Sequence, residues 1–273
     1  MDSQLVDTRV GTLHVESHGA GPAVVCWPSL YCDARTLDGV VAELGRDHRV
    51  IVIDGPGHGR SPAPPRALDF EACAHAAIDV LDALAIDRAV WFGPAWGGHV
   101  GVLAALSYPQ RLAGLVILNA PMTAWTGKNR RLMQLGYAML WLFGLRSFAA
   151  RMIADKMISP TAPDRAALVD GLVAAIARCD RRGLLQAVRY AIARPSLVPR
   201  LPEITIPTLV IAGADDALLP VDAARREAAA IPDGRFVVVE HSSHQSALEA
   251  PAQVFPIVRE ALARWTRPTR ATG

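Results

Sequence analysis

One stretch constrains this chain more than any other: Ala89 to Val102, reading AVWFGPAWGGHVGV. Its first residues form a short apolar run of the kind expected for a strand buried on both faces. An abrupt glycine-flanked turn follows, and the apolar residues then resume as a helix. Gly93 and Gly97 stand two residues to either side of Ala95, where a bulkier side chain would collide across the turn. Whatever the chain does, it is built around a strand that passes almost directly into a helix with a methyl group at the apex.

The flanking sequence supplies the rest of such a fold. Residues 4 to 17 alternate around Leu5, Val10, Leu13 and Val15, predicting an antiparallel hairpin at a sheet edge. Apolar runs at residues 23–27, 49–53, 112–118, 208–212 and 235–240 predict further strands. Helices are expected from Asp33, as N-cap, through Leu44, from Asp69, after Ala95, near 223–230 and over 252–265. From Met122 to Pro199 the strand-like runs stop, and Leu132, Leu135, Tyr137, Trp141 and Phe148 recur at helical intervals. Strands alternating with helices predict an α/β architecture, a mostly parallel central sheet flanked by helices. The domain reading is a core of residues 1–121 and 200–273, with an inserted helical cap at 122–199.

Bulk properties exclude several classes. With 51% hydrophobic and 20% charged residues, the 273-residue chain is neither disordered nor too short for a sizeable core. A net charge of +2 without a sustained basic run argues against a nucleic-acid partner. No apolar run reaches the roughly 18 residues of a membrane span. The N-terminus shows no basic region followed by an apolar one, so no secretory signal is read. A cytoplasmic protein without a membrane partner is therefore expected. The four cysteines, Cys26, Cys32, Cys73 and Cys179, lack C-x-x-C spacing and are read as free thiols.

In an open parallel sheet, ligands gather at the carboxyl ends of the strands. There the chain places Ala95, then Asp215-Asp216 with Pro220 four residues on, then His241 and His244 followed by Glu249-Ala-Pro251. G-x-A-x-G occupies the frame of G-x-S-x-G, the turn that presents a nucleophilic serine, and the order nucleophile, acid, histidine is that of α/β-hydrolases. The chain resembles that superfamily over essentially its whole length, in particular the serine esterases and lactonases with a helical cap. The resemblance implies Asp216 as the acid and His244 as the base, with position 95 as the nucleophile. A serine there needs a neighbouring imidazole to take its proton, and a carboxylate to hold the imidazole's tautomer. It also implies an oxyanion hole made by the backbone N–H groups of Trp96 and Leu30. At the second of these the chain departs from the usual His-Gly-x, reading Pro28-Ser29-Leu30.

Competing residues have quieter readings. Asp215 is read as an exposed turn residue, His241 as a loop or core histidine, and His99 as a residue packed against the sheet. His58 and Asp54 are read as structural members of the loop 54–62. Asn119 cannot serve as a carboxylate, which leaves Asp216 without a rival there. Gly55 to Gly59 are not a phosphate loop, because its Lys-Ser/Thr partner is missing. Ser29, Tyr31, Met122 and Trp125 are expected to contact substrate.

The expected activity is hydrolysis of a carboxylic ester or lactone of a hydrophobic small molecule, without metal or organic cofactor. In this reading Ala95 is an engineered replacement that disarms the nucleophile, since everything that serves a serine is still present. The alternatives are a natural pseudoenzyme or ligand receptor on the same fold, and a carbon–carbon bond hydrolase. Epoxide or haloalkane hydrolysis would require a carboxylate at position 95.

Overall fold

The computed structural model describes residues 2–145 and 148–266. Eight strands form one sheet: β1 (Asp2–Thr8), β2 (Gly11–His18), β3 (Ala23–Cys26), β4 (Arg49–Ile53), β5 (Ala89–Pro94), β6 (Leu112–Leu118), β7 (Thr208–Gly213) and β8 (Gly234–Val239). Their spatial order is β1-β2-β4-β3-β5-β6-β7-β8. The hairpin β1–β2 is antiparallel at one edge, and every pairing from β4 onward is parallel. The expected α/β sheet is therefore present, with β5, the strand of the G-x-A-x-G turn, near its centre.

The unbroken apolar runs follow from burial on both faces, because successive side chains in a strand point to opposite sides. Val25, Trp27, Ile51, Trp91, Leu115 and Ile117 belong to one core. Their immediate neighbours Val24, Cys26, Val52, Phe92, Val116 and Leu118 belong to the other. The first core is closed by α2 (Phe70–Ala83) and α3 (Trp96–Ser107), the second by α1 (Asp38–Leu44) and α10 (Pro251–Trp265). Helix α8 (Val221–Ala229) lies between β7 and β8, and a single turn, α9 (Ser246–Glu249), follows β8. Between β6 and β7 the chain makes four helices, α4 (Gly127–Phe143), α5 (Phe148–Met157), α6 (Arg165–Arg178) and α7 (Arg181–Ala193), and no strand among the described residues.

Two caps turn out differently from one another. Asp69 accepts a hydrogen bond from Ala72 N at 2.5 Å and opens α2 as expected. Asp33 caps nothing: residues Ala34–Leu37 form a 3-10 turn before α1, and no side-chain cap bond is made. Its carboxylate instead receives both arms of the Arg178 guanidinium at 2.5 and 2.9 Å, tying α6 to the core. A bidentate ion pair with a distant arginine outcompetes a local cap that sequence spacing alone would favour. All four cysteines are buried and free.

Trp91 links the sheet to the turn after it. Its ring is fully buried and its indole N–H donates to Gly97 O at 2.9 Å. Trp91→Ala is expected to lower stability by about 3–5 kcal/mol, from the cavity and the orphaned carbonyl together, as read from urea unfolding.

Candidate active site

The turn between β5 and α3 is as tight as its glycines require. A Cβ on Gly97 would stand 1.8 Å from Trp27 O, and one on Gly93 would stand 2.3 Å from the Gly97 backbone. Ala95 itself sits at φ 47°, ψ −106°, a conformation that L-residues rarely adopt and that costs on the order of 1–3 kcal/mol. Its N–H donates to Leu118 O at 2.7 Å and its carbonyl accepts from His99 N at 3.1 Å, so both neighbours hold the strained backbone in place. Among the six described non-glycine residues with positive φ, Tyr31, Ala95 and Asn119 all gather here.

Asp216 and His244 arrive from the ends of β7 and β8. The His244 Nδ1–H donates to Asp216 Oδ2 at 2.9 Å, and both residues are buried. Asp216 Oδ1 accepts from Leu218 N and Leu219 N at 2.8 and 3.2 Å, and Oδ2 accepts from Asn119 Nδ2 at 3.2 Å. Burial presses the carboxyl upward. The His244 charge and hydrogen bond, with the two backbone donors, outweigh that and hold it below the usual carboxylate range. A charged acceptor on Nδ1 fixes the tautomer and leaves Nε2 as the basic nitrogen. His244 lines the same cavity as Ala95.

Asn119 has a role that spacing alone did not disclose. Besides donating to Asp216, its amide donates to Ser243 O at 2.8 Å, and its carbonyl accepts from Ser246 Oγ at 2.5 Å. It clamps the acid to the loop carrying the histidine. Glu249 organises that loop from the other side, accepting from Ser243 N, Gln245 N and Ser159 N. The Glu-x-Pro downstream of His244 was the sequence signal for this, although its task was hidden. Asp215 does more than mark a turn: it accepts from Ser159 Oγ at 2.5 Å and Thr161 Oγ1 at 3.2 Å, tying the loop after β7 to the segment between α5 and α6. His241 lies exposed in a turn.

Leu30 and Trp96 both line the cavity, and neither backbone N–H is donated to another group among the described residues. The Trp96 donor follows Ala95 directly and lies in the first turn of α3, where the helix dipole favours negative charge. The Trp96 indole packs edge-on against Trp27 at 5.4 Å and close to His58 and Phe70. This explains Gly55, where a Cβ would stand 2.5 Å from the Trp96 ring. Asp54 fastens the same loop by accepting from Ala34 N, Arg60 N and His14 Nδ1. His58 is buried, and desolvation pushes its imidazole down to about 4.

The cavity has a volume of about 160 Å³ and an overwhelmingly apolar wall. Ser29, Tyr31 and Trp125 line it. Met122 does not: it is buried in the core, with its N–H donating to Glu227 at 3.1 Å. Strand-end position put Met122 near the site, but the backbone turns there, so its side chain packs inward. Glu227 of α8 and Arg194, directly after α7, together hold this stretch, Arg194 donating to Pro121 O and Thr123 O at 2.7 and 3.1 Å. Desolvation lowers the Arg194 guanidinium to about 10. His99 also reaches the cavity wall, and burial, then the Arg194 charge, push it well below its ordinary value. Among the described residues no group of three or more His, Cys, Asp or Glu is arranged to hold a metal ion.

Comparison with known proteins gives consistent matches. The family model described as alpha/beta hydrolase fold matches residues 22–251. A relative from Pseudomonas savastanoi, provisionally named carbamate hydrolase RutD, is 30% identical over 88% of this chain and 93% of its own. A 2-hydroxy-6-oxononadienedioate/2-hydroxy-6-oxononatrienedioate hydrolase from Paraburkholderia phymatum is 31% identical over 83% of this chain and 78% of its own. Among solved structures, an esterase from Thermogutta terrifontis superposes with a TM-score of 0.89 at 24% identity, covering 97% of this chain and all of that one.

The depressed Asp216 carboxyl carries a pH signature. Its folded value lies below the unfolded one, so its contribution to stability is complete above the unfolded value, about 3.9, and is lost as pH falls through the folded value. The stability gap between this chain and Asp216→Asn, measured by urea unfolding, is expected to be constant from neutral pH down to about pH 5 and to close below that.

Proposed function

The chain belongs to the α/β-hydrolase fold family, and from that premise we propose that its cavity receives a carboxylic ester or lactone of an apolar small molecule. The carrying observation is that every element serving a nucleophile surrounds an atom that cannot act as one. Ala95 keeps the strained turn, His244 and Asp216 keep their 2.9 Å bond, and Leu30 and Trp96 keep unspent N–H groups.

With serine at position 95 the chemistry would run as follows. His244 Nε2 takes the hydroxyl proton as Oγ attacks the carbonyl carbon, and the resulting oxyanion is held by the two N–H groups. The imidazolium, stabilised by Asp216, then protonates the leaving oxygen, and water repeats the sequence to free the acid. With alanine there is no oxygen to acylate. The chain as it stands holds its ligand in this geometry without forming an acyl-enzyme. That also favours a second reading, a ligand receptor, because the same alanine removes turnover and leaves binding intact.

Ala95→Ser is expected to make position 95 react with a fluorophosphonate probe and to raise p-nitrophenyl ester hydrolysis by roughly 10³-fold or more over the parent chain. His244→Ala in that background should return the rate to the parent's level. A serine variant that neither labels nor turns over any ester or lactone would rule out the hydrolase geometry and leave the receptor.

A further inference from the structure

The small net charge of this chain conceals a steep internal separation. Residues 122–199 contain twelve Lys and Arg against four Asp and no Glu, a balance of +8. The remainder contains sixteen against twenty-two, a balance of −6. Both lysines of the chain, Lys128 and Lys156, lie in the basic segment. Helix α4 has no acidic residue at all.

The same segment exposes an apolar stripe. At 100° per residue, Lys128, Leu132, Leu135, Leu142 and Phe143 share one face of α4. Phe148, Met152 and Lys156 follow at four-residue intervals along α5. The six apolar members are between 39% and 65% exposed, and the Phe143 and Phe148 rings meet at 5.3 Å, joining the two helices into one patch. A contiguous apolar surface rimmed by charge marks a site of contact. Lys128, Arg131 and Lys156 have no carboxylate partner among the described residues. Leu132, Leu135, Met152 and Lys156 also line the cavity that holds Ala95 and His244, so the patch is continuous with the cavity wall.

We propose that the α4–α5 face is a docking surface for an anionic lipid bilayer, with the cavity opening toward the membrane. An interfacial element of this kind buries Leu and Phe at the headgroup boundary while flanking Lys and Arg meet lipid phosphates. The separation of charge orients the molecule, drawing the basic cap toward an anionic surface and turning the acidic core away. A second copy of this chain is disfavoured as the occupant, since symmetric pairing would set one +8 cap against another. Nucleic acid would use the charge but leave the aliphatic stripe without a counterpart. No helix among the described residues is long and apolar enough to cross a membrane, so the contact is peripheral.

The test is flotation of the intact chain with phosphatidylcholine vesicles, with and without phosphatidylglycerol, at low and high salt. It reads binding alone and is independent of any chemistry at position 95. Binding is expected only with phosphatidylglycerol and is expected to fall as salt rises. Lys128→Glu combined with Arg131→Glu should weaken it at least tenfold. Leu142→Ser combined with Phe148→Ser, which leaves every charge in place, should weaken it comparably. All four positions are exposed, and thermal unfolding followed by circular dichroism verifies that the variants fold. The proposal is overturned by failure to bind anionic vesicles at low salt, or by binding that survives the serine pair. It is equally overturned if, without vesicle binding, the chain retains duplex DNA or forms a dimer that the serine pair dissolves.

Discussion

The contact on which the rest of the site depends is the approach of Gly97 to the Trp27 carbonyl. There the first turn of α3 lies against the end of β3 so closely that a single methyl group would stand 1.8 Å from the oxygen. This packing sets the pitch of α3 against the sheet and brings the Trp96 N–H beside the loop that carries Leu30. It also forces Ala95 into its positive φ. A strained apex is tolerated because both of its backbone polar groups are satisfied by fixed neighbours, Leu118 and His99.

The strain is informative because nothing in an alanine requires it. A side chain with no hydrogen-bonding atom has no chemistry to perform at that apex. The conformation is set by the close approach at Gly93 and Gly97 and by the Trp91–Gly97 bond. Asp216 and His244 are likewise over-determined. Asp216 has four partners and Asn119 has three, so the dyad is held by a network of short polar contacts in a buried setting where each unpaired group would be costly. The arrangement of Ala95, Asp216 and His244 is thus a property of the scaffold.

Much of the fold was legible because its signals are local or strictly periodic. The apolar runs at residues 49–53 and 112–118 became β4 and β6 with those same bounds, since burial on both faces leaves only the leading Arg49 outside the apolar pattern. Asp69 was legible as a cap because its partner lies three residues away. Asp33 was not, because its partner Arg178 lies 145 residues away. Met122 failed for a related reason: strand-end position predicts proximity to a site, but side-chain direction depends on how the backbone turns against Glu227.

By itself, the sequence determined the α/β sheet, the glycine-flanked turn, the chain order of Ala95, Asp216 and His244, and the absence of an oxygen at the apex. These rest on residue type and on spacing along the chain. Only the tertiary structure decided that Asn119 clamps Asp216 to the loop carrying His244, that Glu249 organises that loop, and that Asp215 ties the loop after β7 to the segment following α5. It alone decided that Leu132 and Leu135, from an exposed stripe of leucine and phenylalanine, also line the cavity. Those are relations between segments far apart in sequence, and a hydrogen bond or a shared surface exists only once folding has brought both partners to the same place.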